Sequence, residues 1–251
     1  MPETLRNMNH KIPGALVVSL LFLTGFQVAA AVSGPDPFAA ERQLMVTQQL
    51  KARDITDPRV LAAMGKVPRH RFVPPDLASQ AYDDHPLPIG LGQTISQPYI
   101  VALMSQWAEV KPGDKVLEVG TGSGYQAAVL AELTGPVFTI ELLPELAETA
   151  LKRLRDLGYE RVQVRAGDGY QGWPEAAPFD AVLVTATAPE VPKALKEQLK
   201  EGGRLVIPVG PSGSVQTLLL LRKEKDELRE EKRLSVLFVP LVKPGEEKRE
   251  R

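Results

Sequence analysis

The stretch that most constrains this chain is residues 116–133, V-L-E-V-G-T-G-S-G-Y-Q-A-A-V-L-A-E-L. A short apolar run (Val116, Leu117, Val119) reads as a buried strand, three glycines at alternate positions (Gly120, Gly122, Gly124) as a turn, and the run behind them as a helix. Strand, glycine turn and helix in that order build a nucleotide-type site. Glycine permits positive φ and lets a ligand approach the main chain, and the helix N-terminus offers N–H groups with no partner inside the helix. A tight βα turn that binds nothing is the bland alternative, and three glycines in register argue against it.

Two cofactor classes fit the spacing. Counted from Gly122, the positions Gly122, Gly124 and Ala127 meet a dinucleotide pattern, with Glu141 about 20 residues on, where an acid would hold ribose hydroxyls. Counted from Glu118, the stretch is E-x-G-x-G-x-G, which resembles motif I of the class I S-adenosyl-L-methionine (SAM) methyltransferases. The glycines alone leave NAD open.

Composition narrows the field. At 251 residues, 43% hydrophobic, the chain can build one well-buried α/β domain with appendages, and two full domains would be cramped. A net charge of −1 supplies no field to attract nucleic acid, which is not an expected partner. The absence of cysteine removes disulfides, thiol nucleophiles and thiolate metal sites. No metal is expected: His85 beside Asp83 and Asp84 lacks a third ligand.

Along the chain, residues 1–11 carry Arg6 and Lys11, residues 12–32 carry no charge, and Ala29 to Ala31 are small. That is a signal-peptide pattern, an uncleaved anchor and a start assigned too far upstream being the alternatives. Residues 41–53 are a polar helix candidate, and Asp57-Pro58 supplies an N-cap and a first-turn proline for a second helix that Gly65 should end. Residues 67–75, V-P-R-H-R-F-V-P-P, predict an extended, packed loop, with His70 at its surface. Residues 86–104 hold the glycines Gly90 and Gly92, the hydroxyls Thr94 and Ser96, and Pro98 opening a helix over 99–107. The N-cap of that helix would fall at Gln97 or Ser96, so Ser96 has a purely structural reading as well as a functional one. Beyond the glycine turn, strands at 137–141, 162–166, 179–185 and 204–209 alternate with helices at 144–157 and 192–200, Gly202-Gly203 marking a stop. That alternation means βαβ units and a parallel sheet with helices on both faces. Strand-like runs at 217–222 and 234–241, joined by the charged K-E-K-D-E-L-R-E-E-K, predict an antiparallel hairpin, and the tail predicts a frayed end.

Several segments together carry a stronger resemblance. P-R-H-R-F-V-P, G-Q-T-I-S-Q-P-Y, L-E-V-G-T-G-S-G-Y-Q, G-D-G-Y-Q-G-W-P-E-A-A-P-F-D, V-T-A-T-A-P-E-V-P and L-K-E-G-G-R-L-V-I-P-V-G closely resemble the protein-L-isoaspartate O-methyltransferases, over about residues 41–243. Motif I is shared by many methyltransferases, whereas G-Q-T-I-S-Q-P is far more specific to this family. Leu237 departs from it, standing where bacterial relatives usually carry arginine.

The resemblance implies a Rossmann-like class I methyltransferase: a mostly parallel sheet with helices on both faces, a C-terminal antiparallel hairpin and a small N-terminal helical layer. With the leader at 1–34, which is not typical of the family, the chain divides into that leader, one SAM-dependent methyltransferase domain at 36–243 and a charged tail at 244–251. Within the domain, 36–110 would form the helical layer and substrate loop and 111–243 the cofactor-binding core. Gly120, Gly122 and Gly124 would pass the methionine portion of SAM, with Glu118 near its ammonium. Glu141 would accept the ribose hydroxyls, and Asp168 the adenine amino group with the Gly169 N–H alongside. Asp168 between glycines also suits an Asx-turn regardless of ligand. Trp173 and Tyr125 would be packing. Gly92, Gln93, Thr94, Ile95 and Ser96 would form the substrate loop, with Ser96 the catalytic residue orienting the substrate carboxylate. The product of the cofactor would be S-adenosyl-L-homocysteine. Implied partners are isoaspartyl-containing proteins and peptides, with no obligate protein partner, a monomer, and membrane contact only through a retained leader. SAM supply implies the cytoplasm, export through residues 1–33 being the alternative. The rival functions are a class I methyltransferase acting on a small molecule and a non-catalytic SAM- or NAD-binding module.

Overall fold

The computed structural model of the chain describes residues 36–246. The leader expected at 1–34 lies outside the described residues, as do residues 247–251 of the tail. A seven-stranded sheet organises the rest. Its strands are β3 (Val116–Val119), β4 (Val137–Glu141), β5 (Val162–Ala166), β6 (Phe179–Val184), β7 (Leu199–Val209), β8 (Gln216–Glu224) and β9 (Glu227–Val236), preceded in the chain by a separate hairpin of β1 (Leu87–Gly90) and β2 (Gln93–Ile95). The spatial order is β5-β4-β3-β6-β7-β8-β9. β3 through β7 are parallel to one another, whereas β8 runs antiparallel to β7 and β9 antiparallel to β8.

Every residue of β3 and β4 is buried, as a strand covered on both faces requires. Because side chains alternate across a strand, one sequence feeds two cores. Val116, Leu183 and Val206 face one core, packed with α2 (Pro58–Lys66), α3 (Pro98–Ala108) and α4 (Tyr125–Leu133). Leu117, Val182 and Leu205 face the other, with Leu195 of α6 (Lys193–Glu197). After β3 the chain winds out through α4, β4, α5 (Pro144–Asp156) and β5, then crosses back to β6 on the other side of β3. That reversal between β3 and β6 opens a crevice at the carboxyl ends of the strands.

The boundaries differ from expectation where turn chemistry decides them. α1 (Ala39–Leu44) continues into a π-helical stretch, Met45–Lys51, which buries Met45, Val46 and Leu50 and so is less polar in role than in composition. α2 runs through Gly65 to Lys66, because the stop is Val67, held extended by Pro68. Residues 67–80 form two 3-10 turns, Arg69–Phe72 and Pro75–Gln80, in place of an extended loop. His70 is half-buried there, its Nδ1 2.8 Å from the Tyr82 hydroxyl and its ring centroid 4.6 Å from that of Phe38, tilted by 32°.

α6 is short because β7 begins at Leu199, and Gly202-Gly203 bulge within that strand. A Cβ on Gly203 would meet the Lys200 carbonyl at 2.8 Å, so only glycine closes the bulge. The charged linker expected before the last strand is itself strand. Lys225 and Asp226, with φ of 53° and 63°, make a two-residue turn, and the charges that follow line the exposed edge β9. β9 ends at Val236, so residues 237–241 leave the sheet. Thr187 donates its N–H to Val239 O and accepts from Leu241 N–H, drawing this segment over the crevice.

Candidate active site

The crevice holds a cavity of about 430 Å³ whose walls include Gly120, Glu141, Gly169, Thr185, Leu241 and the hairpin residue Thr94. Every parallel strand end near the switch point contributes a residue. A small cavity of about 40 Å³ opens between Glu118, Ser96 and Gln126, and a third of about 640 Å³ spreads outward past Ser96, Ile100 and Phe238. Thr94 and Thr185 border all three, so the cavities are neighbours across a wall of two hydroxyls.

The glycine turn is built for close approach. Gly120, Gly122 and Gly124 all have positive φ (100°, 52° and 90°). At Gly120 a Cβ would also collide with Thr185 Oγ1, which donates to the Gly120 carbonyl at 2.6 Å. Gly169 stands 2.5 Å, measured from a hypothetical Cβ, from Val119 Cγ1, so no larger residue fits beneath the cleft there.

Glu118 is fully buried in β3. Thr139 Oγ1 donates to its Oε2 at 2.5 Å, and Thr121 Oγ1 lies 2.7 Å from Thr139 Oγ1. Burial pushes the carboxyl up to about 8, opposed by the Thr139 hydrogen bond and reinforced by the Glu141 charge. Its Oε1 has no partner, nor has Oε1 of buried Gln126, whose amide donates to Ser105 Oγ at 2.8 Å. Two orphaned acceptors beside one small cavity are what an ammonium group, with three donors and no acceptor, would satisfy. Glu141, at the end of β4, accepts from Gly122 N–H at 2.8 Å and Leu143 N–H at 3.1 Å. Burial raises its pKa against those backbone donors. A carboxylate has about four acceptor positions, so the backbone donors do not exhaust its capacity for ligand hydroxyls.

Asp168 is engaged locally: its Oδ1 caps the 3-10 turn by accepting from Tyr170 N–H at 2.9 Å. It is half-buried and stands next to Gly169 of the cleft wall. Trp173 packs edge-on against Phe138 at 5.3 Å, and Tyr125 against Phe72 at 5.4 Å.

The expected substrate loop is a hairpin. β1 and β2 are joined through Leu91 and Gly92, both at positive φ (52° and 73°), an uncommon backbone for a leucine, which lines the cofactor-sized cavity. Ile95 is buried and anchors β2, while Gln93 and Thr94 face the cleft. Ser96 follows β2 without capping α3. The N-cap position is Gln97, with no side-chain cap, and Asp84 Oδ1 instead accepts from Tyr99 N–H at 3.3 Å. Ser96 lines two cavities, and its carbonyl accepts from Arg69 Nη2 at 2.7 Å.

Reasoning from sequence missed Arg69, Gln126 and Thr185. Arg69 is fully buried, donates through Nε to Ala81 O at 2.7 Å and lies 4.8 Å over the Tyr125 ring; burial lowers its pKa to about 10. Its signal was an arginine inside a run of prolines and aromatics. Thr185 was visible as a hydroxyl directly after an apolar strand run, V-T-A-T-A. Asp84, for which the sequence did not support a metal role beside His85, pairs with Arg53 at 2.9 Å. Among the described residues no group of three or more His, Asp or Glu side chains is placed to hold a metal ion.

The geometry can now be set against known proteins. Residues 40–246 match the family model described as protein-L-isoaspartate(D-aspartate) O-methyltransferase. The chain belongs to that family. A protein-L-isoaspartate O-methyltransferase of Opitutus terrae is 61% identical over 203 residues, covering 81% of this chain and 87% of that protein. One from Synechococcus sp. is 58% identical over 213 residues, 82% and 87% of the two chains. Among solved structures, a protein-L-isoaspartate O-methyltransferase superposes with a TM-score of 0.73 at 32% identity, over 80% of this chain and 66% of that one. A Plasmodium falciparum structure described as a β-aspartate methyltransferase, in complex with S-adenosyl-L-homocysteine, gives 0.69 at 28% identity over 80% and 98%. Membership of the protein-L-isoaspartate O-methyltransferases makes the chain a SAM-dependent methyltransferase and removes the dinucleotide reading of the glycine turn.

Proposed function

We propose that this chain methylates the free α-carboxylate of L-isoaspartyl residues in damaged proteins and peptides, with the cofactor in the 430 Å³ cleft and the peptide in the cavity beyond Thr94 and Thr185. The observation that carries the reading is the pair of unpartnered acceptors, Glu118 Oε1 and Gln126 Oε1, at the small cavity that also touches Ser96. They suit the ammonium of a methionine moiety. Glu141 would accept the ribose hydroxyls, and Asp168 Oδ2 with the Gly169 N–H would meet the adenine edge. SAM, when bound, supplies an electrophilic methyl on a sulfonium and leaves as S-adenosyl-L-homocysteine.

The protein's own work is positioning. A substrate carboxylate with a pKa near 4 is already ionised at neutral pH, so its oxygen attacks without a strong base. Ser96 and Thr94 are the hydroxyl donors that would orient it, Ser96 as the catalytic residue, with Arg69 holding the Ser96 backbone. The hairpin and residues 238–241 close opposite walls and exclude water, an alignment and desolvation effect. Attack of the following backbone nitrogen on the ester carbonyl expels methanol, a far easier departure than oxide from a carboxylate, and water opening the resulting succinimide can return normal aspartate. The reaction belongs in the cytoplasm, where SAM is made, and the catalyst is a monomer without metal. Among the described residues no helix is long and apolar enough to cross a membrane.

Thermal unfolding with added ligand tests the cofactor half. S-adenosyl-L-homocysteine at 100 times its Kd should stabilise the fold by about 2.7 kcal/mol, with NAD giving no shift. Stabilisation by NAD and none by S-adenosyl-L-homocysteine would overturn the reading.

A further inference from the structure

The 640 Å³ cavity has an unusual mouth. Among the described residues only three large apolar side chains are exposed, and two of them, Val215 (64%) and Leu237 (73%), line this one cavity. They flank one rung: Gln216 pairs with Val236 at the end of β8 and β9, and Val215 and Leu237 are the next residues beyond it on the two strands. The alignment is fixed beyond the sheet by Gln216 Oε1, which accepts from Phe238 N–H at 2.9 Å. Ile100, Phe238 and Val239 extend the apolar surface inward toward Ser96 and Thr94, and no charged side chain is among the described residues lining the cavity.

We infer that Val215 and Leu237 form a side-chain subsite that selects an apolar residue next to the isoaspartate of the substrate. This rests on the peptide occupying the cavity that contains Ser96. Continuity decides the occupant: a chain whose carboxylate reaches Ser96 must lay its adjoining residue along the same wall. A second copy of this protein is a poor alternative, since two exposed side chains fall far short of the roughly 800 Å² per partner of a standard interface. An apolar neighbour in the substrate buries its surface against the pair. An acidic neighbour loses water there and gains no cation. Leu237 therefore sets a preference that arginine at the same position would reverse, by offering a charge-assisted partner to an acidic flank.

The test is a set of peptides of one sequence, with Leu, Gly or Asp placed before or after the isoaspartate, assayed for kcat/KM with SAM. The Leu-flanked peptide should exceed its Gly counterpart by about 10-fold, the scale of discrimination by an apolar pocket, with Asp below Gly. In Val215→Ser/Leu237→Ser the Leu-to-Gly ratio should fall toward 1, and in Leu237→Arg the Asp-flanked peptide should gain on the Gly-flanked one. Both positions are exposed, so an unchanged melting temperature verifies the fold. Equal turnover of all flanks by the parent, or a ratio that survives the double substitution, overturns the subsite alone. No turnover of any isoaspartyl peptide overturns the reading beneath it too.

Discussion

Glu118 offers the sharpest perturbation, because substitution by Gln keeps its shape and removes its titration. In the folded protein its carboxyl is pushed by burial from the ordinary 4.5 up to about 8. Below pH 4.5 both folded and unfolded chains hold this proton and the group is neutral toward stability. As the pH climbs from 4.5 to about 8, the unfolded chain loses the proton while the folded chain keeps it, so stability falls across that window and levels off above it. At about 1.36 kcal/mol per pH unit, that window is worth roughly 5 kcal/mol. Urea unfolding at pH 5 and pH 8 should therefore show the parent losing several kcal/mol more than Glu118→Gln, other titrating groups being common to both. The same proton links to the cofactor. An ammonium beside Oε1 favours the carboxylate, so binding SAM at pH 7 should release close to one proton in the parent and none in Glu118→Gln. Calorimetry in two buffers of different ionisation enthalpy counts it. Identical pH slopes and proton release in both proteins would show that Glu118 does not titrate in this range and does not face the cofactor ammonium.

Other expectations follow from the same site. Glu141→Ala removes a charged acceptor worth roughly 1.5–3 kcal/mol, so S-adenosyl-L-homocysteine affinity by calorimetry should drop about 10- to 150-fold, and unchanged affinity would place the ribose elsewhere. Ser96→Ala should lower turnover by roughly 10- to 150-fold for a lost hydrogen bond to a charged group, with cofactor affinity and melting temperature preserved because Gln97 holds the N-cap position; a lowered melting point with normal turnover would make Ser96 structural. Gly120→Ala forces a side chain into φ of 100° and against Thr185, and should cost about 1–3 kcal/mol in urea unfolding; a variant as stable as the parent would refute the close-approach argument.

How much was legible in the sequence depends on which interaction fixes each feature. The parallel sheet and glycine turn follow from local patterns: Val116 to Val119 and Val137 to Glu141 are apolar enough to be buried on both faces, and the turn glycines adopt the positive φ that their spacing demanded. The hairpin at β8 and β9 was legible in kind but not in extent. Its charged strand looks like a linker because an edge strand needs no apolar alternation on its solvent side. Asp84, 15 residues before Tyr99, supplies the acceptor that the capping reading of Gln97 or Ser96 would require, and no local pattern reports such a contact. The partners of Arg69 were illegible for the same reason: those at Ala81 and Ser96 are carbonyls of ordinary residues, although an arginine among prolines and aromatics marks the position itself. Asp168 shows the converse, since its Asx-turn and its ligand role make the same demand on sequence and the described hydrogen bond displays the turn.

Methyl transfer to a matched peptide pair tests the central claim most directly. The purified protein, labelled SAM and two peptides of one sequence, one with L-isoaspartate and one with L-aspartate, are sufficient. The account predicts rapid esterification of the isoaspartyl peptide, strongly reduced in Ser96→Ala, and negligible labelling of its aspartyl twin. Equal labelling of the pair, or labelling of neither while S-adenosyl-L-homocysteine binds normally, would contradict it.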